Sequence, residues 1–171
     1  MPVQVSLDVL MTYTAWERDL WHAWFQQHGS AALETTVGPH ADGRFETVGA
    51  LVRHIFSAET RYIERLSGRP LTDTASVPAD DVEALFALGR QSRAGLQAFC
   101  DTYPTAAWDL PQELPIGSQQ FVATPRKIVL HVLVHEVKHW AQVATLLRLQ
   151  GLKAGFRDVL FSPILDSAPP L

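Results

Sequence analysis

His131, His135 and His139 recur at every fourth position inside the otherwise apolar stretch 131–142. Helical geometry, at about 100° per residue, stacks all three imidazoles along one side of a helix. Ring nitrogens need partners when buried, so three histidines beside a core predict a site rather than packing filler. On the wheel His135 and His139 lie about 40° and about 80° from His131 and enter the apolar arc with Leu146 and Val132. His131 lies nearer the polar edge marked by Lys138 and ranks third. Thr124-Pro125 is a cap followed by a proline suited to the first turn, and Gly151 is a stop, so the spacing predicts a helix over 125–150.

Three further helices are predicted. Leu7, Leu10, Tyr13, Trp16, Leu20, Trp24 and Phe25 give one over 6–28, begun by Ser6 or Asp8 and ended by Gly29. Its aromatics Tyr13, Trp16, Trp21 and Trp24 read as core before pocket lining. Residues 29–44, with Gly29, Gly38, Pro39 and Gly43, read as a connection with a solvated His40. The second helix, 47–66, buries Leu51, Val52, Ile55, Phe56 and Ile63 and ends at Ser67-Gly68-Arg69-Pro70. The third, 78–103, opens on Pro78 and the acids Asp80 and Asp81.

The stretch 104–124 lacks helical periodicity and is long for a plain connection, which predicts a small hairpin or a lid. Residues 152–171 are irregular but hold Phe156, Val159, Leu160, Phe161, Ile164 and Leu165. That is too apolar for a free tail, so most of it is expected to pack on the bundle or on a second subunit. The last five residues or so are expected to be disordered.

With 171 residues and 47% apolar content, the expected organisation is a single all-α domain over 1–171. A net charge of -4 gives no general reason to bind nucleic acid. No stretch approaches the apolar length of a membrane span, and a single cysteine, Cys100, agrees with a reducing compartment, so a cytoplasmic location is expected. Cys100 lies between Phe99 and Asp101 with no basic neighbour in sequence, and reads as an inert thiol.

His54, on the second helix, lies at the border of its apolar arc and can face inward. Histidines at i and i+4 form a metal clip that a third ligand from a facing helix completes, so His54, His135 and His139 are the expected metal set. A nitrogen-only set favours zinc or nickel. Histidines hydrogen-bonded to water or backbone on a partly exposed helix remain the alternative. Glu59 falls on the buried arc of its helix, where a carboxylate needs a partner in the core or across an interface.

The run from His131 to Gln142, continued by Val143-Ala144-Thr145-Leu146-Leu147-Arg148-Leu149-Gln150-Gly151, resembles the last helix of the DinB/YfiT-like family. That helix usually reads H-x-x-x-H-x-x-x-H-R-G-Q-x-x-x-L-L-R-x-x-G. His54-Ile55-Phe56-Ser57-Ala58-Glu59 is similar to the family's second-helix histidine and its following glutamate, and the aromatic first helix fits as well. Trp140-Ala141 replaces the usual Arg-Gly.

The resemblance implies a four-helix bundle in up-down-down-up order, commonly a homodimer, with a divalent metal on His54, His135 and His139. It further implies an enzyme that transfers a low-molecular-weight thiol, of the bacillithiol, mycothiol or glutathione type, to a small-molecule electrophile in detoxification or stress. Glu59 and Glu136 are candidates to orient ligand histidines, although their wheel positions point away from the ring face. His131 becomes a neighbour of the site and a candidate proton shuttle. The alternative function is a non-catalytic protein in which the metal stabilises the bundle or dimer.

Overall fold

The computed structural model describes residues 6–38 and 44–165; the expectations for His40 and for the last five residues lie outside them. Four long helices dominate: α1 (Leu7–His28), α3 (Val48–Leu66), α4 (Val82–Thr102) and α5 (Pro125–Leu149). A one-turn helix, α2 (Ser30–Leu33), follows α1, and strands β1 (Gln112–Ile116) and β2 (Gln119–Ala123) precede α5. The fold is therefore mostly helical, as expected.

The helix ends have identifiable causes. The side chains of Ser6, Thr47, Asp81 and Thr124 accept from the backbone amides of Val9, Ala50, Ala84 and Lys127, satisfying donors that a first turn leaves free. Asp81 also explains one correction. The third long helix begins at Val82, not Pro78, because the capping carboxylate sits four residues further on than the sequence pattern suggested. Gly151, at φ 78°, lies just beyond the last turn of α5.

A second correction concerns the connection after α1, which contains α2 and buries Ala32 and Leu33. The 104–124 stretch holds an antiparallel hairpin whose register pairs Ile116 with Gln119 and Gln112 with Ala123. Gly117, at φ 60°, supplies the left-handed residue of its tight turn.

α3 packs against both α4 and α5, and α1 against α5. The core divides into two apolar clusters. One holds Trp21, Phe25, Leu51, Val52, Phe56, Leu85, Leu88, Trp140 and Leu147. The other holds Met11, Ile63, Leu96, Phe99, Leu114, Val129 and Leu133. Trp21 and Trp24 belong to the first, so these first-helix aromatics are packing.

The tail is only partly packed: Leu152 and Ala154 join the first cluster, whereas Phe156 and Leu160 are 82% and 84% exposed. Cys100 is half-buried, and burial with the nearby Asp101 charge pushes its thiol up to about 11, consistent with inertness.

Candidate metal centre

α5 carries His135 and His139 one turn apart, and α3 presents His54 toward them. The three Nε2 atoms meet: His135 Nε2 lies 3.2 Å from His54 Nε2 and 2.9 Å from His139 Nε2. His139 is buried, while His54 and His135 are half-buried. Phe45 packs 4.7 Å from the His54 ring, centre to centre, and 6.3 Å from that of His139.

His139 Nδ1 donates to Gln142 Oε1 at 2.5 Å, one turn further along α5. That bond keeps the proton on Nδ1 and the lone pair on Nε2, facing the cluster. His135 Nε2 then has two neighbours and one role. If it donates to His139 it has no lone pair for His54, and if it accepts from His54 it has no proton for His139. A cation among the three would take a lone pair from each. Nitrogens sharing one tetrahedral ion at about 2.0–2.1 Å stand about 3.3 Å apart, close to the spacings here.

Burial, reinforced by the neighbouring His139 and His54 rings, pushes His135 down to about 3, so its ring is neutral as a ligand must be. These three residues form a group able to hold a divalent metal ion. His131, exposed on the preceding turn, stands apart: its ring centre is 5.6 Å from that of His135 and 5.2 Å from that of Tyr62. Burial and Lys138 lower its pKa below the ordinary histidine value.

Glu59 and Glu136 face away from the histidines into a buried ionic layer. Arg18 grips Glu136 with two bonds, Nε to Oε1 at 2.5 Å and Nη2 to Oε2 at 2.8 Å, and its Nη2 lies 3.0 Å from Glu59 Oε1. Arg93 Nη2 donates to Glu136 Oε2 at 2.8 Å and lies 3.2 Å from Glu59 Oε2, the second contact without hydrogen-bond alignment. Ser92 donates to Glu59 Oε1, and Trp140 Nε1 donates to Glu136 Oε1.

Residues from all four long helices thus meet in one layer, which explains Glu59 as paired in the core. Trp140 also stacks on Trp21, with ring centres 5.2 Å apart. Where the family usually has arginine, this chain uses an indole that is wholly buried.

Sequence reasoning missed Arg18, Arg93 and Gln142. The inward position of Glu59 was the signal for a buried cation, and Gln142, three residues after His139, is within reach on the same face.

A groove of about 270 Å³ opens beside His54, lined by Arg44, Arg53 and Arg61 among others, with Asp73 as its carboxylate. No helix among the described residues is long and apolar enough to cross a membrane.

These features define a mostly helical protein with a three-histidine cluster of metal-binding type. The chain belongs to the DinB family, whose model matches residues 1–165. No curated protein matches it.

Proposed function

We propose that His54, His135 and His139 hold a divalent cation, zinc or nickel, and that the centre serves transfer of a low-molecular-weight thiol to a small electrophile. The observation that carries this reading is the meeting of three Nε2 atoms, with His135 Nε2 3.2 Å from that of His54 and 2.9 Å from that of His139, in a group able to hold one ion. When bound, such a cation lowers the pKa of a coordinated thiol and supplies a nucleophile at neutral pH.

The chain's own residues do the rest. Gln142 orients the His139 ring through Nδ1, and the Arg18–Glu136 pair fixes the rotation of α5 and with it His135. The cationic lining of the groove beside His54 favours an anionic substrate, which a thiol of the bacillithiol, mycothiol or glutathione type provides. His131, exposed one turn before His135 with ring centres 5.6 Å apart, is the candidate to pass a proton to solvent in this reading.

The up-down-down-up order is part of the same reading. α1 and α5 run from the Met11 cluster to the Trp21 cluster, and α3 and α4 run the other way, which supports that order. So is a homodimer, supported by the exposed apolar side chains Phe156, Leu160 and Phe161. A cytoplasmic setting, where thiols stay reduced, completes it.

The test is thiol consumption by metal-loaded protein with glutathione, bacillithiol or mycothiol and a panel of electrophiles. Loss of free thiol above the uncatalysed rate, abolished in His54→Ala, supports transfer. Absence of turnover with every pair, together with a large drop in melting temperature on chelation, favours a metal that only ties α3 to α5.

A further inference from the structure

The hairpin before α5 has an inner and an outer strand. β1 buries Leu114 in the second apolar cluster and packs against α3, whereas β2 is exposed from Gln119 to Val122. The two-residue turn Gly117-Ser118 makes Ile116 and Gln119 a hydrogen-bonded pair. Leu114 with Phe121 and Gln112 with Ala123 follow by the alternation of an antiparallel ladder, so those backbones bond within the hairpin. The N–H and C=O groups of Gln120 and Val122 therefore point to the open side of β2. Among the described residues, no hydrogen bond from outside the ladder reaches them.

The two edges of this sheet differ. The outward positions of β1 are Glu113 and Pro115, a charge and a residue without an N–H, and both oppose the addition of a strand. β2 reads Gln119-Gln120-Phe121-Val122-Ala123 and carries neither protection. An edge left in that state is a template for pairing. On the face turned toward the bundle, Leu114 and Phe121 form one apolar row. Leu114 is 1% exposed and Phe121 44%, so the row begins in the core and stops, half-covered, at the β2 edge.

We propose that the β2 edge pairs antiparallel with β2 of a second copy of this chain, about a two-fold axis through Phe121. That register brings every outward backbone of β2 to another: Gln120 exchanges both bonds with Val122 of the second copy, and Val122 with its Gln120. The two Phe121 residues then form a non-hydrogen-bonded pair with Cα atoms about 4.5 Å apart, the closer kind of cross-strand contact. The apolar row runs on as Leu114, Phe121, Phe121, Leu114, from one core to the other. A two-fold interface sets a surface against itself, so a charged β2 would face its own charge; residues 119–123 carry none. The two Glu113 side chains fall in different rows of the joined sheet, each beside its own Val122. The protected β1 edges close the assembly as a dimer with a four-stranded sheet, with no edge left to grow a fibre.

This interface rests on the homodimer reading and is independent of the metal. A strand edge buries a small interface and gives a weak dimer, so full-length protein is followed by sedimentation equilibrium from about 1 to about 500 µM. The expected result is a dimer whose dissociation constant rises at least about tenfold in Val122→Pro, which removes an outward N–H and leaves the hairpin ladder intact. Val122→Lys, which sets two cations near each other across the axis, is expected to do the same, and a tail variant with Phe156→Ser and Leu160→Ser to change it little. In the parent, hydrogen exchange at the Gln120 and Val122 amides slows as the dimer forms. A monomer throughout that range overturns the interface and the homodimer together. A dimer unchanged in Val122→Lys, or one in which the Gln120 and Val122 amides exchange as fast as in the monomer, overturns the interface alone and leaves the homodimer to another face.

Discussion

Arg18 Nε donates to Glu136 Oε1 at 2.5 Å, joining α1 to α5 at the residue next to His135. Along each long helix the ionic layer falls between the two apolar clusters: Arg18 between Met11 and Trp21, Glu59 between Phe56 and Ile63, Ser92 and Arg93 between Leu88 and Leu96, Glu136 between Leu133 and Trp140. Buried charges paired in this way add little net stability over an apolar core, but breaking one is costly. Arg18→Ala, which leaves two buried carboxylates with one cation fewer, is expected to destabilise the fold by about 3–5 kcal/mol. Urea denaturation measures it, and a loss below about 1 kcal/mol would show that the layer is solvated.

Gln142 acts on the site through His139 Nδ1. Gln142→Leu removes the acceptor while leaving the three candidate ligands in place. It is expected to weaken metal binding about 10–100-fold with little change in helicity. Competition with a chelating dye reads the affinity; unchanged affinity would mean that the ring is oriented by other contacts.

Much of this was legible in the sequence. The caps Ser6 and Thr124 stand where α1 and α5 begin, because capping is a local interaction between residues three apart. The convergence of His54 with His135 and His139 followed from helical periodicity together with the family resemblance. Arg18 and Arg93 were not legible. A charged side chain on a helix looks solvated until its partners on other helices are known, and those partners lie 34 (Arg93 to Glu59) to 118 (Arg18 to Glu136) residues away in sequence. The outward direction of Phe156 and Leu160 was hidden for the opposite reason: an apolar residue in an irregular segment carries no periodicity from which to read a face.

Two helix glycines should respond in opposite directions. A Cβ at Gly49 would stand 1.8 Å from the Ala79 carbonyl oxygen, where backbone leaves no room, whereas nothing lies within 4 Å of one at Gly95. Gly49→Ala is expected to cost about 1–3 kcal/mol or more by overpacking, and Gly95→Ala to gain about 0.5–1 kcal/mol from helix propensity. Denaturant midpoints of the pair decide it; equal effects would contradict the close approach of the 77–79 segment to α3.

Glu17 predicts a pH dependence of stability. Its carboxyl rises from the ordinary 4.5 to about 8 on folding, chiefly through burial, so the folded chain binds a proton that the unfolded chain releases. The favourable contribution is full below about pH 4.5 and is lost as pH rises toward about 8, an effect on the order of a few kcal/mol. Glu17→Gln should flatten this decline and be more stable than the parent near pH 8.5. A Glu17→Gln profile that runs parallel to the parent's from about pH 5 to about pH 8.5 would contradict a buried neutral carboxyl.

In the proposed centre, Nε2 of His54, His135 and His139 share one cation. Metal analysis of protein purified without an affinity tag, compared with His54→Ala and His135→Ala, tests it most directly. A single zinc or nickel ion per chain in the parent, lost from both variants while their helicity is retained, is the predicted result. A parent without a stoichiometric ion, or variants that keep theirs, would contradict it.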